Sequence, residues 1–196
     1  MNEMVKMVVV LTVLTAFSGG LLASVRNGTA ERIEMQQLKF VKGPAIKTIL
    51  EGAENDPIAD RFKIKDGETE YSVFVGKIGG KASNIAMESF ASGYGGPVGV
   101  MVGINMDDDS VLGVGVTTHS ETPGLGSRAK DDPEFVAQFK GGAAKDPFKV
   151  TKDGGQINAL SGATITSQAV CQATSAVGSA YQKLKPKIQE QIATMK

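Results

Sequence analysis

Between Leu160 and Ser167 the chain reads LSGATITS, and four of these eight residues, Ser161, Thr164, Thr166 and Ser167, carry hydroxyls. They flank Gly162 and Ala163, directly ahead of a segment with helical spacing. Two chemistries fit. In the first, Thr166 or Ser167 caps a helix, its oxygen accepting from the first free amides, while Ser161 to Thr164 form a tight turn. A cap needs one such oxygen, not four. In the second, the Gly-Ala turn leaves backbone amides pointing outward at the positive end of the helix dipole, where a phosphate is favoured and neighbouring hydroxyls add hydrogen bonds. The lysine of a P-loop is missing from this pattern, so a nucleotide-triphosphate cradle is disfavoured.

Few other residues compete for a chemical role. His119 is the only histidine and Cys171 the only cysteine. Without a Ser/His/Asp set or a nucleophile elbow, His119 reads as a structural residue at a strand end. Cys171 reads as a small buried residue, and a single thiol excludes an internal disulfide or a multi-cysteine cluster. The run MDDDS at Met106 to Ser110 lacks the EF-hand spacing and its distal Glu, so it is a hairpin loop rather than a calcium site. With 21 basic and 21 acidic residues the chain has no net field to steer it to nucleic acid, and no nucleic-acid partner is expected.

The elements that position these residues follow from patterning. Met7 to Val25 is uncharged and apolar, about 19 residues at about 1.5 Å each, nearly enough to cross a bilayer core. It is a membrane anchor by length; a cleaved secretory signal is the rival reading. Lys6 before it and Arg26 and Arg32 after it leave the orientation open by charge. Thr29 to Val41 is an amphipathic helix or a continuation of the anchor, and PAIKTILEGA is a short helix with Pro44 in its first turn and Gly52 at its stop. Alternating strands follow: FKIKDGETEYSVFVGKI around an Asp66–Gly67 turn, then NIAMESFA, PVGVMVGIN and VLGVGVTTH. DDPEFVAQFKG predicts a short helix capped by Asp131 or Asp132, and FKVTKDGGQIN a pair of short strands. From Thr166 or Ser167 onward, Val170, Ala173, Val177, Tyr181 and Leu184 recur at helical spacing until Pro186 disturbs the pattern. The expected fold class is α+β, a mostly antiparallel sheet packed by helices and preceded by one N-terminal transmembrane helix. The expected division is an anchor over 1–28, a helical connector over 29–60 and a ligand-binding domain over 61–196.

SGATIT resembles the attachment motif of the covalent FMN-binding domain family, found in the G subunit of Rnf-type ferredoxin:NAD oxidoreductase complexes and the C subunit of sodium-translocating NADH:quinone oxidoreductases. GYGGPVGVMVGIN from Gly93 and THSETPGLGSRA from Thr118 resemble that family's strand turn and its H-x-E-T-P-G-L-G loop, in the same order. The resemblance covers nearly the whole chain, including the N-terminal span. It departs at Asn158, six positions before Thr164, where many members carry Asp.

The resemblance implies that Thr164 bears FMN through a phosphoester bond installed by a separate flavin transferase that uses FAD. Ser161, Gly162 and Ala163 would complete the motif, with Thr166 and Ser167 as helix cap and phosphate neighbours. In the ETPGLG loop, Pro123 fixes the backbone, Gly124 and Gly126 permit unusual geometry and close approach, and Leu125 offers an apolar contact for the flavin ring. Glu121 and Thr122 would hydrogen-bond the ring's polar edge or the ribityl chain. The implied function is electron relay in ion-coupled transfer between ferredoxin and NAD, beside other membrane subunits, with the domain on the periplasmic or extracellular side of the inner membrane. The alternatives are the C subunit of the quinone-reducing complex and, in a different class, a membrane-anchored scaffold whose hydroxyl cluster is only a cap.

Overall fold

A computed structural model describes residues 2–195; Met1 and Lys196, the outer limits of the expected division, lie outside the described residues. The chain forms two compact units, the first ending at Leu38 and the second beginning at Lys39.

The first unit is the helix α1, Glu3–Gln36, whose apolar side chains from Met4 to Val25 are all exposed. A helix with no buried face in an apolar run of this length is long and apolar enough to cross a membrane. Residues 29–36 are part of α1, so that stretch continues the apolar helix. A π-helical turn, Gln37–Lys42, then leads to α2, Gly43–Ile49. Pro44 explains the wider turn. It has no N–H to offer the Phe40 carbonyl, and its ring would crowd that oxygen in a tight α-helix. The helix stops at Ile49 with Leu50 as its cap, earlier than the expected Gly52, which lies at φ +88° in the turn that follows.

Five strands form one antiparallel sheet in sequence order: β1 Arg61–Asp66, β2 Thr69–Ile78, β3 Lys81–Ser92, β4 Pro97–Asn105 and β5 Val111–Thr118. The hairpin at Asp66–Gly67 is present, with Gly67 at φ +61°. Because side chains alternate across a strand, β4 and β5 present two different faces. Val98, Val100, Val102 and Ile104, with Val114 and Val116, join the core packed under the long terminal helix, Thr164–Thr194. The opposite face carries Gly103 and Gly115, and there α2 packs. A side chain at Gly103 would come within 2.1 Å of Ile49 Cγ2, so only glycine lets the helix lie this close. On this face Glu88 of β3 pairs with Lys42 and accepts a hydrogen bond from Thr117 at 2.5 Å.

The short helix at DDPEFVAQFKG is present as α4, Pro133–Ala137, preceded by a single turn, α3, Arg128–Asp131. Asp132 caps α4 by accepting from the amides of Glu134 and Phe135. The terminal helix is α5. One expectation is corrected. FKVTKDGGQIN is not a pair of strands but a tight loop: a 3₁₀ turn, Thr151–Asp153, and one parallel bridge, Val150 to Ile157. Gly154 is left-handed, at φ +77°, and the chain returns so closely that a Cβ on Gly155 would lie 2.1 Å from the Lys149 carbonyl. Pro186 lies inside α5, which runs on to Thr194.

Candidate functional site

Three separate segments meet at one end of the sheet. The GYGG turn joins β3 to β4, the ETPGLG loop leaves β5, and LSGATITS opens α5. Glu121 is where they join. Its side chain is 6 % exposed; Oε1 accepts the Gly95 amide at 2.9 Å and Oε2 accepts the Thr166 hydroxyl at 2.6 Å. The glycines of these motifs are required by that closeness. A Cβ on Gly93 would meet Oε1 at 2.4 Å, one on Gly126 would meet Oε2 at 2.6 Å, and one on Gly95 would strike the Ser120 carbonyl at 2.1 Å.

The meeting point encloses an open cavity of about 550 Å³. Of the residues singled out by sequence, Glu121, Thr122, Leu125, Gly126, Gly162, Ala163, Thr164 and Thr166 all line it. Ser161 is exposed outside the lining. Ser167 is fully buried below it, where Oγ donates to the Ala163 carbonyl at 2.9 Å and accepts the Leu160 amide at 3.0 Å, pinning the turn to the helix.

The helix begins at Thr164, ahead of the expected Thr166 or Ser167, so neither of those residues caps it. The cap position is Ala163, at φ −134° and ψ 42°, with no side-chain capping bond. The first intrahelical bond is donated by Ser167 to Ala163, at 3.0 Å. Among the described residues, the amides of Thr164, Ile165 and Thr166 have no protein acceptor, and the Thr164 hydroxyl makes no hydrogen bond. A half-buried hydroxyl beside three free amides at the positive end of a 31-residue helix suits a phosphate ester there.

Two lining residues escape sequence reasoning. Tyr94, 74 % exposed, and Ile165, 48 % exposed, stand with Leu125 as apolar side chains around the cavity. GYGG is legible as a turn, but nothing in it assigns Tyr94 to the ligand. Ile165 looks like a core residue until the helix start is placed. With polar groups and apolar side chains both in its lining, the cavity has the character of a site for an amphipathic ligand. Its residues fit FMN: free amides and a free hydroxyl for the phosphate, Leu125, Tyr94 and Ile165 for the ring.

His119 and Cys171 keep structural roles. His119 Nδ1 accepts the Glu121 amide at 3.3 Å, holding the loop's first turn. Cys171 is buried in α5, and burial pushes its thiol up to about 12, with the Asp153 charge adding to it. Asn158 lies in the exposed approach to the site. Gln138 grips its backbone, accepting its amide at 2.7 Å and donating to its carbonyl at 3.3 Å.

Residues 93–177 match the FMN-binding domain family. The G subunit of an ion-translocating oxidoreductase complex from Methanosarcina acetivorans is 34 % identical over 174 residues, covering 88 % of this chain and 91 % of that protein. The corresponding protein of Shewanella oneidensis is 32 % identical over 184 residues, covering 88 % of this chain and 86 % of that one. Among solved structures, NqrC of Shewanella oneidensis shares the fold, with a TM-score of 0.53 at 22 % identity over 71 % of this chain and 72 % of its own. The chain therefore belongs to the family of G subunits of ion-translocating oxidoreductase complexes, as an electron-transfer component with an FMN-binding domain.

Proposed function

We propose that Thr164 carries FMN through a phosphoester bond, attached by a separate flavin transferase that uses FAD. The observation that carries this reading is the state of the Thr164 oxygen. Of the hydroxyls lining the cavity, Thr166 is committed to Glu121, whereas the Thr164 hydroxyl has no partner among the described residues. An acceptor that must form a new bond to phosphorus cannot be tied into the fold. The amides of Thr164, Ile165 and Thr166 hold the phosphate oxygens, and the helix dipole favours their charge. Thr122 offers an exposed hydroxyl on the loop side for the ribityl chain or ring edge. Leu125, Ile165 and Tyr94 cover the ring faces and exclude water from them.

Bound FMN supplies two-electron acceptance and one-electron release, which suits a relay between centres of the complex. The chain's part is to bind and orient the ring and to set its electrostatic surroundings. A covalent link keeps the flavin in place without relying on reversible affinity in a dilute compartment. In this reading the relay serves ion-coupled electron transfer between ferredoxin and NAD. The helix α1 anchors the protein in the cytoplasmic membrane beside other membrane subunits, with the flavin domain on the periplasmic or extracellular side.

The test is Thr164→Val, produced in cells that make the transferase. The substitution keeps the volume of the side chain and loses the acceptor oxygen, and no hydrogen bond of the fold is broken. The variant is expected to fold like the parent and to carry no covalent flavin. Covalent FMN retained at another residue overturns the assignment. A parent chain that is colourless in the same cells favours the scaffold reading.

A further inference from the structure

Glu121 has a feature that binding alone does not explain. It is a buried carboxyl group with no ion-pair partner among the described residues, at the wall of the cavity. Its two oxygens are met only by neutral donors, the Gly95 amide and the Thr166 hydroxyl. Burying a carboxylate without a cation is costly, and hydrogen bonds to both oxygens are the minimum that makes it tolerable. The backbone is shaped to admit it, since side chains at Gly93 and Gly126 would occupy the space of its two oxygens. A neutral residue could tie the three loops together at lower cost.

The geometry points to Glu121 as a positioning residue that also lowers the reduction potential of the flavin, by holding a fixed negative charge at the cavity wall. This rests on the attachment reading above, because the charge acts on FMN held at Thr164. Reduction by two electrons, with one proton taken from solvent, adds one negative charge to the ring. A fixed carboxylate opposes that addition, and the low dielectric of a part-buried site strengthens the opposition. Thr166 moderates the effect, because its O–H donates to the Oε2 atom and spreads part of that charge.

The test uses the full chain, made with the flavin transferase and purified in detergent, with dithionite as the electron source in a potentiometric titration. Glu121→Gln removes the charge and keeps the shape. Its amide oxygen still accepts from Gly95, and its NH₂ can donate to a rotated Thr166 hydroxyl. The two-electron equilibrium is expected to shift toward reduction on the order of tenfold, a rise of about 30 mV. Thr166→Val keeps the charge and removes its donor, and the potential is expected to fall. Glu121→Gln that loads FMN at an unchanged potential overturns the inference. If Glu121→Gln fails to load, Thr166→Val decides: a lowered potential upholds the role of the charge, an unchanged one refutes it. A parent chain without FMN overturns the attachment reading and this one together, whereas loaded variants with unmoved potentials overturn this one alone.

Discussion

Gly126→Ala tests how the site is assembled. The added methyl would lie 2.6 Å from Glu121 Oε2, 2.7 Å from Glu121 Cβ and 2.8 Å from Thr166 Oγ1, all well inside ordinary contact. These atoms are not loose ends of exposed side chains, because Glu121 and Thr166 are buried and bonded to each other. Relieving the clash therefore means overpacking, at about 1–3 kcal/mol, and loss of a hydrogen bond to a charged group, at about 1.5–3 kcal/mol. Together these come to roughly 2.5–6 kcal/mol, which for a chain of this size lowers the melting temperature on the order of 10 °C. Gly124→Ala, two residues away, is the control. Gly124 has φ +72° and nothing within 4 Å of a new methyl, so the cost there is backbone strain alone, about 1–2 kcal/mol. Scanning calorimetry of the detergent-purified chain should show the larger loss for Gly126→Ala, with weakened flavin loading. Equal losses for the two variants, or a Gly126→Ala chain that melts like the parent, would refute the idea that contact around Glu121 shapes the loop.

Further outcomes are expected in the frame that carries the site. Tyr181 is fully buried in α5, and its hydroxyl donates to Asp109 at 2.6 Å, as does Lys185. Tyr181→Phe should cost about 1.5–3 kcal/mol in urea unfolding. Burial pushes the Asp109 carboxyl up, but the bonds from Lys185 and Tyr181 outweigh it and hold the group below the usual carboxylate range. Its contribution is therefore complete above the unfolded value of about 3.9 and is lost as pH falls through the lower folded value. Tyr181→Phe should narrow that acid-sensitive component, as read by urea unfolding at pH 6 and pH 3; an unchanged difference between the two would contradict it. Gly178→Ala places a methyl 1.9 Å from the Ala144 carbonyl, so α5 must lift off its support at about 3 kcal/mol or more, visible as a large fall in the urea midpoint. Cys171, with its thiol raised to about 12 by burial, should resist a disulfide reagent at pH 8 in the folded chain and react fully in denaturant. Reaction at equal rates in both states would show that the helix opens there.

Much of this architecture is visible in the residues. The Val-rich runs of β4 and β5 read as strands, and the Asp66–Gly67 turn has the residue type its left-handed geometry needs. The hydroxyl cluster, the ETPGLG loop and the GYGG turn can be picked out one by one. That Glu121 joins them cannot, since it depends on contacts between residues 26 and 45 positions apart. Threonine and serine favour caps over helix interiors, which places the expected start of α5 too late; here Ala163 ends the turn without a capping bond and the hydroxyls serve elsewhere. Tyr94 and Ile165 are informative only through their exposure, which belongs to the folded chain. FKVTKDGGQIN alternates like a strand, yet Gly154 and Gly155 allow a closer return than a hairpin makes.

Everything proposed for the flavin turns on one hydroxyl, that of Thr164, as the point of attachment. The most direct measurement is the intact mass of the chain purified from membranes that contain the flavin transferase, followed by peptide mapping across Leu160 to Gln168. An added mass equal to an FMN ester, localised to Thr164, is the predicted result. An unmodified chain, or the same mass on Ser161, Thr166 or Ser167, would contradict it.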